Sequence, residues 1–194
     1  MNVFDFDNTI FEGDSTYRFF RFCLRRHPRV ALYLPRIGWA ALKYYAFHIG
    51  DKTRFKERMY TFLKACRPAE DVDAFWRINL PRIREFYREI HSDSDVIVSA
   101  SPEFLLKPLE DQLRVTVIAS RVSPADGRTT GLNCYHEEKV RRFRERFPDG
   151  EIDAFYSDSY SDEPLALLAK TAHIVTDGTI TPWDFTRHKK NLRT

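Results

Sequence analysis

Residues 1–14 read MNVFDFDNTIFEGD and begin with an apolar segment that ends in two carboxylates. Residues 2–6 are rich in side chains that favour extended structure, so they predict a first β-strand. Asp5 and Asp7 then lie at the carboxyl end of this strand, where open α/β sheets bind their ligands. Two carboxylates this close repel each other unless a cation or a proton lies nearby. The stretch therefore predicts an α/β fold with a functional site at this edge of the sheet.

Further short apolar segments predict the rest of the sheet. These segments occupy residues 96–99, 115–119, 152–156 and 173–176, and helical patterns lie at 102–112, 136–147 and 162–170. Uninterrupted apolar strands that alternate with helices are typical of a parallel sheet covered on both faces. Asp126-Gly127 predicts a hairpin turn, and Thr181-Pro182 is expected to mark the point where the chain leaves the fold.

The distance between the first two strands is too long for a simple crossover, which needs about a dozen residues. Residues 11–94 intervene, and their patterns predict helices at 14–27, 29–49, 52–66 and 70–91. We therefore expect a helical insertion beside the carboxyl edge of the sheet. The predicted domains are a core of residues 1–13 and 92–194 and a helical cap of residues 14–91.

Residues 29–49 form the most apolar part of this insertion. Their charges, Arg29, Arg36 and Lys43, are seven residues apart and fall on one narrow helical stripe. Pro35 is expected to kink or divide the helix. Two interpretations remain open: a helix buried against its neighbours, or an apolar surface that contacts a membrane interface or forms a substrate wall.

Composition and charge limit the class of protein. The 194 residues are 43% hydrophobic, 14% aromatic and 30% charged, which excludes a disordered chain and suffices for one packed domain with an insertion. The net charge of +3 hides a basic block, because residues 11–60 hold 11 Lys and Arg against 4 Asp and Glu. That block and the basic tail, residues 187–194, suggest an anionic partner or simply a solvated face and tail. No nucleic-acid partner is expected, since no nucleic-acid-binding module is recognised.

Cysteine usage and the terminal sequence bear on the cellular compartment. Cys23, Cys66 and Cys134 are too few and too scattered for a disulfide framework or a zinc site, and the histidines show no metal-ligand spacing. We see neither a signal-peptide pattern nor an apolar run of membrane-spanning length. The expected location is the cytoplasm, with a possible peripheral position at the membrane through residues 29–49.

A second acidic pair and two further polar residues complete the predicted site. Asp158 and Asp162 follow the strand at 152–156, so they lie at the same sheet edge as the first pair. Several carboxylates at one edge favour a hard divalent cation with oxygen ligands, most simply Mg²⁺. Ser99 ends the strand at 96–99, and Lys139 lies in the helical start HEEKVRRF. A hydroxyl and an ammonium group at this edge would bind an anion next to the metal.

These residues, in this order, resemble the four motifs of the haloacid dehalogenase superfamily. The motifs here are Asp5-Phe6-Asp7-Asn8-Thr9, Ser99, Lys139 and Asp158–Asp162. The insertion resembles a C1-type helical cap, and SASPEF, DGRTTG and EEKV are similar to the subfamily IB phosphatases, which include phosphoserine phosphatase-like and phosphatidylglycerophosphatase C-like enzymes. Asn8 departs from the pattern, because many members have glycine there. The resemblance implies a Rossmann-like three-layer α/β sandwich with a parallel sheet and an inserted helical cap.

The resemblance also implies phosphoryl transfer through an aspartyl-phosphate. Asp5 would be the nucleophile, and Asp7 would act as general acid and then as general base. Asp5, the backbone carbonyl of Asp7 and the carboxylate of Asp158 would bind Mg²⁺. Because a halide leaves unprotonated, an acid at position 7 favours a phosphatase or a phosphomutase over a dehalogenase.

The remaining motif residues would support this chemistry. Ser99 and Lys139 would hold the phosphoryl oxygens where charge builds up, and Asp162 would orient waters or Lys139. A non-catalytic protein of the same fold, binding an anionic partner through its basic cap, is the alternative from another functional class.

Substrate choice is expected to depend on the cap. Asp14 lies where the phosphoserine-type enzymes carry an acidic residue for an amino group, but Gly-Asp-Ser-Thr is also a good helix start. Arg54 and Arg58 are candidates for a substrate carboxylate or a second anion. Two substrate classes remain open: a small phosphorylated metabolite, and a lipid phosphate favoured by the apolar segment 29–49.

Overall fold

The computed structural model describes residues 1–48 and 52–186. Six strands form one sheet: β1 (Asn2–Phe4), β2 (Val96–Pro102), β3 (Thr116–Ser120), β4 (Ile152–Ser157), β5 (Ala169–Thr176) and β6 (Thr179–Pro182). Their spatial order is β3-β2-β1-β4-β5-β6. The first five strands are parallel, and β6 pairs antiparallel with β5. The chain is thus an α/β protein with a mostly parallel sheet flanked by helices, as predicted.

Strand β1 is central, which determines where the site forms. Val3 pairs with Val96 of β2 on one side and with Phe155 of β4 on the other. Because all three strands are parallel, the residues that follow each of them meet at one edge. The stretch after β1 therefore lies between the ends of β2 and β4.

The two faces of the sheet belong to separate apolar clusters. Successive side chains of a strand point to opposite faces, so Val3 and Phe4 join different clusters. The cluster that contains Phe4 also contains Trp76 and Tyr87 from the helices between β1 and β2. These helices thus share a continuous core with one face of the sheet.

The C-terminal part of the sheet differs from the prediction. Strand β5 begins at Ala169, four residues before the predicted start. Of the predicted helix at 162–170, Glu163–Ala166 is α-helical and Asp162 ends the 3₁₀ turn Tyr160–Asp162. The chain does not leave the fold at Thr181-Pro182, since both residues belong to the edge strand β6. Asp177 and Gly178 link β5 to β6 with positive φ angles of 49° and 88°, the geometry of a two-residue hairpin turn.

Among the described residues between β1 and β2, five segments are α-helical. They are α1 (Ser15–Arg26), α2 (Leu34–Tyr45), α3 (Lys52–Tyr60), α4 (Pro68–Asn79) and α5 (Glu85–Ile90), with 3₁₀ turns at Pro28–Tyr33, Thr61–Ala65 and Leu80–Arg82. Pro35 divides the predicted helix 29–49, as expected, because it occupies the first turn of α2. Pro81 similarly interrupts the predicted helix 70–91. The division of the chain into a core and a cap remains a prediction.

The remaining helices follow the later strands. They are α6 (Glu103–Leu106), α7 (Leu109–Leu113), α8 (Glu137–Arg146) and α9 (Glu163–Ala166). Pro108 separates α6 from α7, where the sequence predicted one helix at 102–112. The predicted turn at Asp126-Gly127 is present: Ser123 N donates to Arg128 O at 2.8 Å, and Val122 and Thr129 form an antiparallel bridge.

The helices of the described residues were compared with the length and apolar character of a membrane span. Within residues 1–48 and 52–186, no helix combines the length and the apolar character that a bilayer crossing requires.

Candidate active site

The loop after β1 positions the first two carboxylates. Asp5 N donates to Tyr156 O of β4 at 2.8 Å, which extends the parallel pairing by one residue. The carbonyl of Phe6 then accepts hydrogen bonds from Ile10 N at 3.1 Å and Phe11 N at 3.0 Å, so the chain turns sharply. Asn8 lies in this turn with φ of 59°, in the left-handed region. Asparagine enters that region more readily than most non-glycine residues, which explains how it replaces glycine here.

Asp5 is bound by the predicted lysine. Lys139 Nζ donates to Asp5 Oδ1 at 2.7 Å and to Asp162 Oδ2 at 2.7 Å, and the lysine side chain is 2% exposed. Ser157 Oγ donates to Asp162 Oδ2 at 2.8 Å. The helix α8 thus brings a buried ammonium group between carboxylates that follow β1 and β4.

Burial and charge oppose each other in this group. Burial raises the pKa of Asp5, while the ammonium group of Lys139 lowers it, and the net direction is upward. Burial lowers the pKa of Lys139, but Asp5 and Asp162 outweigh burial and the net direction is upward. Lys139 therefore stays protonated and is held as a cation against Asp5.

Asp158 faces the cavity beside this pair. Its backbone N–H donates to Thr9 Oγ1 at 2.9 Å, which ties the end of β4 to the loop after β1. Desolvation and then the charges of Asp5 and Asp162 raise the pKa of the Asp158 carboxyl to about 7. Burial is the largest cause of this upward shift, and the charges of Asp5 and Asp162 add to it more than Lys139 offsets.

The site fits a hard divalent cation. Asp5, Asp7 and Asp158 line the cavity, so the two outer carboxylates and the backbone carbonyl of Asp7 could supply the oxygen ligands that Mg²⁺ prefers. Asp162 Oδ1 is buried and has no hydrogen-bond partner within the described residues, so it can accept a bond from a metal-bound water. A cation here would also relieve the repulsion that raises the pKa of Asp158.

Asp7 lies in a different environment. Ser101 Oγ donates to Asp7 Oδ2 at 2.5 Å, and Ser15 N, at the start of α1, donates to Asp7 Oδ1 at 2.6 Å. Burial and then the charge of Asp14 raise the pKa of Asp7 to about 6. Asp7 therefore holds a proton more readily than an ordinary aspartate.

Ser101 is a site residue that the sequence reasoning missed. Besides its bond to Asp7, its hydroxyl lies 2.8 Å from Thr16 Oγ1, and its N–H donates to Ser99 Oγ at 3.1 Å. It belongs to the quoted segment SASPEF, two residues after Ser99. Because residues two apart in a strand point to the same face, the spacing could have identified it.

One cavity of about 500 Å³ joins these groups. Its lining includes the six residues predicted from the motifs: Asp5, Asp7, Ser99, Lys139, Asp158 and Asp162. Another part of its wall is aromatic and apolar and comes largely from α1, α2 and α3: Tyr17, Phe20, Tyr44, Phe55, Met59 and Tyr135. The cavity thus combines a charged end with an apolar wall.

Of the three residues of the insertion that were predicted to bind substrate, one lines the cavity and two do not. Asp14 lines the cavity and also caps α1, because its Oδ1 accepts a bond from Tyr17 N at 2.8 Å. Arg54 and Arg58 are exposed and are not among the lining residues. The cationic side chain of α3 that lines the cavity is Lys56, whose Nζ donates to Ala100 O at 2.7 Å. Helical periodicity had not shown which face of α3 packs toward the sheet.

Several solved structures share this fold. A protein with unknown function from Bordetella pertussis Tohama I has a TM-score of 0.71 and 21% identity, over 100% of this chain and 95% of that chain. A phosphoserine phosphohydrolase-like protein from Francisella tularensis subsp. tularensis SCHU S4 has a TM-score of 0.56 and 17% identity, over 100% and 93%. A probable phosphoserine phosphatase from Vibrio cholerae has a TM-score of 0.57 and 10% identity, over 88% and 55%. At these identities the likeness shows the fold.

Sequence comparison assigns the family. None of the curated proteins matches this sequence significantly. The model of the haloacid dehalogenase-like hydrolases matches residues 3–167. That range holds the loop after β1, the end of β2, α8 and the residues after β4, which supply the six site residues predicted from the motifs. The chain therefore belongs to the haloacid dehalogenase-like hydrolase family.

Proposed function

We propose that this chain is a magnesium-dependent phosphomonoester hydrolase that works through an aspartyl-phosphate on Asp5. The observation that carries the proposal is the pairing of Asp5 with buried Lys139 in a cavity that also holds Asp7, Ser99 and Asp158. The family membership and the fold of phosphoserine phosphatase-like proteins support it.

The first half-reaction forms the covalent intermediate. A carboxylate oxygen of Asp5 attacks phosphorus, and the bond from phosphorus to the ester oxygen breaks. Asp7, whose raised pKa favours the protonated form, gives its proton to the leaving oxygen. Bound Mg²⁺ supplies charge neutralisation between the carboxylate and the phosphate. Lys139 and Ser99 hold the phosphoryl oxygens as charge develops on them.

The second half-reaction releases inorganic phosphate. Asp7, now a carboxylate, takes a proton from water, and the water oxygen attacks phosphorus. The bond between phosphorus and Asp5 breaks, which regenerates both side chains. Asp162 keeps Lys139 in place through both steps, because it accepts the lysine's second hydrogen bond.

The test is phosphate release from p-nitrophenyl phosphate with and without Mg²⁺. We expect activity that needs Mg²⁺ and that is lost in Asp5→Asn, because an amide is a poor nucleophile. Asp111→Asn, an exposed residue of α7, is the matched control and should keep full activity. Undiminished turnover by Asp5→Asn would remove Asp5 from the nucleophilic role.

The same assay separates the alternative functions. A phosphotransferase or phosphomutase of this fold would pass the phosphoryl group to an added alcohol in preference to water. A non-catalytic protein that binds anions through its basic helices would release no phosphate from any ester tested. Only a hydrolase gives inorganic phosphate in the molar amount of the alcohol produced.

We also propose that the leaving group is large and apolar, as in a lipid phosphate. The support is the aromatic wall of the cavity and the exposed position of Arg54 and Arg58, which leaves no arginine among the described lining residues for a substrate carboxylate. Lys56 already donates to Ala100 O and to Asn133 Oδ1. The cavity therefore offers an acyl chain an apolar wall, whereas the carboxylate of a phosphorylated amino acid would meet no arginine among the described lining residues.

A matched pair of substrates tests the leaving group. Glycerol 3-phosphate and lysophosphatidic acid share the phosphoglycerol unit and differ in the acyl chain. We expect kcat/KM at least about 10-fold higher for the lipid, since burial of two methylene groups contributes about that factor. Tyr17→Ser should reduce this ratio, while Leu167→Ser, an exposed apolar residue outside the described cavity, should not. Faster hydrolysis of glycerol 3-phosphate or of phosphoserine would refute the lipid assignment.

A lipid substrate accords with the surface around α2. Leu32, Trp39 and Phe47 are 79%, 55% and 58% exposed. Trp39 lies beside Lys43, whose Nζ is 5.1 Å from the ring centroid, so apolar and basic groups are neighbours on this surface.

We propose that this surface contacts an anionic membrane interface. Sedimentation with phosphatidylglycerol vesicles at low salt should pellet the chain but not Trp39→Glu, with Ile78→Glu on α4 as the control; equal binding by both variants would refute the contact.

A further inference from the structure

A second group of metal-ligating side chains lies outside the cavity, among the helices between β1 and β2. It contains Cys23 of α1, Cys66 after the 3₁₀ turn Thr61–Ala65, and Asp71 of α4. The two sulfur atoms and a carboxylate oxygen all lie within 4.8 Å of one another. Cys23 and Asp71 are buried and Cys66 is half-buried. The sequence suggested that the cysteines were too scattered for such a site, but the fold brings two of them together.

Three separate segments hold this group in place. Cys66 ends its 3₁₀ turn with its N–H bonded to Leu63 O at 2.9 Å. Asp71 lies in the first turn of α4, where Arg67 N donates to its Oδ2 at 2.8 Å. Cys23 belongs to the apolar cluster of the sheet face and cannot move far. The ligands are therefore positioned by backbone structure and packing before any ion binds.

The carboxylate is oriented by two basic neighbours. His27 Nε2 lies 2.9 Å from Asp71 Oδ1 and 2.8 Å from Oδ2, and Arg26 Nε lies 3.0 Å from Oδ1. Carboxylates that bind a metal are usually held in place by hydrogen bonds of this kind. Arg26 also completes the charge balance. Two thiolates and one carboxylate carry three negative charges, and a divalent cation with one arginine carries three positive charges.

Two thiolates and a carboxylate select a particular class of metal. Thiolate sulfur is a soft ligand that favours Zn²⁺ over Mg²⁺ or Ca²⁺. Contact with Cys66 and burial raise the pKa of the Cys23 thiol. Metal binding would release one proton from each thiol and form two metal–sulfur bonds, and no electron is transferred.

We propose that Cys23, Cys66 and Asp71 bind Zn²⁺, with a water molecule in the fourth position on the half-exposed side of Cys66. The ion joins α1, the turn before α4 and α4 itself. Because α1 carries Tyr17 and Phe20 of the cavity wall, the site stabilises the part of the insertion that faces the cavity. The proposal does not depend on the proposed phosphatase activity.

Cobalt substitution of the full chain tests the proposal. The reduced, chelator-treated protein is titrated with Co²⁺ in excess Mg²⁺, which keeps the carboxylate cavity supplied with a hard cation. We expect thiolate-to-Co²⁺ charge-transfer absorption that saturates at one Co²⁺ per chain and disappears when Zn²⁺ is added. Cys23→Ser and Cys66→Ser should lose this absorption, whereas Cys134→Ser should keep it. His27→Gln should weaken Zn²⁺ binding by about 10- to 100-fold.

A second measurement uses the wild-type chain, because a cysteine variant that misfolds would also lose the Co²⁺ absorption. Zn²⁺ should slow alkylation of half-buried Cys66 by N-ethylmaleimide, read by peptide mass spectrometry, and leave Cys134 unchanged. Absence of thiolate absorption in the wild-type chain, or equal alkylation with and without Zn²⁺, would overturn the proposal. A disulfide between Cys23 and Cys66 in the freshly purified protein would also overturn it in favour of a redox pair.

Discussion

Asp5 and Asp7 are two residues apart, yet their surroundings differ in kind. Asp5 contacts the ammonium group of Lys139, which comes from the region after β3. Asp7 contacts neutral donors, the hydroxyl of Ser101 and the N–H of Ser15 at the start of the helical insertion. A cation favours the ionised carboxylate, whereas burial among neutral donors with another carboxylate nearby allows protonation. This difference supports the proposal that Asp5 is the nucleophile and Asp7 the acid.

The largest expected effect comes from removing the cation on the Asp5 side. Lys139→Met should lower kcat for phosphate release by about 10²- to 10³-fold, because a donor to the developing charge is lost. It should also lower the free energy of unfolding by about 3–5 kcal/mol, since buried Asp5 and Asp162 lose their shared partner. Steady-state kinetics and urea denaturation measure both. Lys107→Met, which replaces an exposed lysine, is the control. Normal stability of Lys139→Met would contradict the buried pairing of Lys139 with Asp5 and Asp162.

The next effect concerns the Asp7 side. Asp7→Asn keeps the shape and the hydrogen bond from Ser15 but cannot supply a proton. We expect a loss of about 10²- to 10⁴-fold with alkyl phosphates and a smaller loss in the first step with p-nitrophenyl phosphate, whose leaving group needs no acid. Burst kinetics with both esters measure the first step. Equal losses with the two esters would indicate that Asp7 is not the acid.

A smaller effect would sharpen the contrast between the two carboxylates. The hydrogen bond from Ser101 lowers the pKa of Asp7, so Ser101→Ala should raise that pKa further above about 6. Because the protonated acid is needed in the first step, the basic limb of the kcat/KM profile for an alkyl phosphate should move to higher pH. Ser101→Thr, which retains the hydroxyl, should leave the profile near that of wild type. A basic limb that moved to lower pH in Ser101→Ala would contradict the assigned hydrogen bond.

The smallest expected effect comes from changing Glu138, the residue before Lys139. Glu138 accepts bonds from Arg141 and from buried Arg142, and these lower its pKa from 4.5 to about 2. Since the folded-state pKa is lowered, the stabilisation is fully present above pH 4.5 and is lost as pH falls toward 2. Glu138→Gln should therefore lower Tm at pH 7, by about 2–4 °C for each kcal/mol lost.

The pH dependence of that difference is the decisive measurement. Thermal melts of wild type and Glu138→Gln should converge between pH 4.5 and 2. Glu85→Gln, an exposed residue of α5, should show no such convergence because its Tm should match wild type throughout. A constant difference across this range would mean that the effect of Glu138 is packing and not charge.

Much of the fold and of the site follows from local sequence signals. The strand-end positions of Asp5, Ser99 and Asp158 predicted one shared edge, and all three line one cavity. Pro35 and Asp126-Gly127 acted as their chemistry predicts. The strand β6 was not predicted, because a short apolar segment does not show whether it will pair with another strand. The breaks at Pro81 and Pro108 were not predicted, because a helical pattern that contains proline does not show whether the helix continues past it.

Two features depend on packing between distant segments. The faces of α3 that meet the sheet and the solvent are set by how the insertion packs, so Lys56 lines the cavity while Arg54 and Arg58 do not. The convergence of Cys23 with Cys66 likewise depends on the relative placement of α1 and the turn before α4. Neither the spacing of residues along the chain nor their type predicts how these distant segments are placed relative to one another.

From the order of amino acids alone one can derive that the acidic groups meet at one sheet edge, because parallel strands bring their carboxyl ends together whatever lies between them. The hydrogen-bond partners of Asp5 and Asp7 could not be derived in this way. Ser101 reaches Asp7, and Lys139 lies between Asp5 and Asp162, only once helices and strands are packed within hydrogen-bonding distance. Hydrogen bonds and charge pairing act over a few ångströms, so their partners are chosen by the assembled fold.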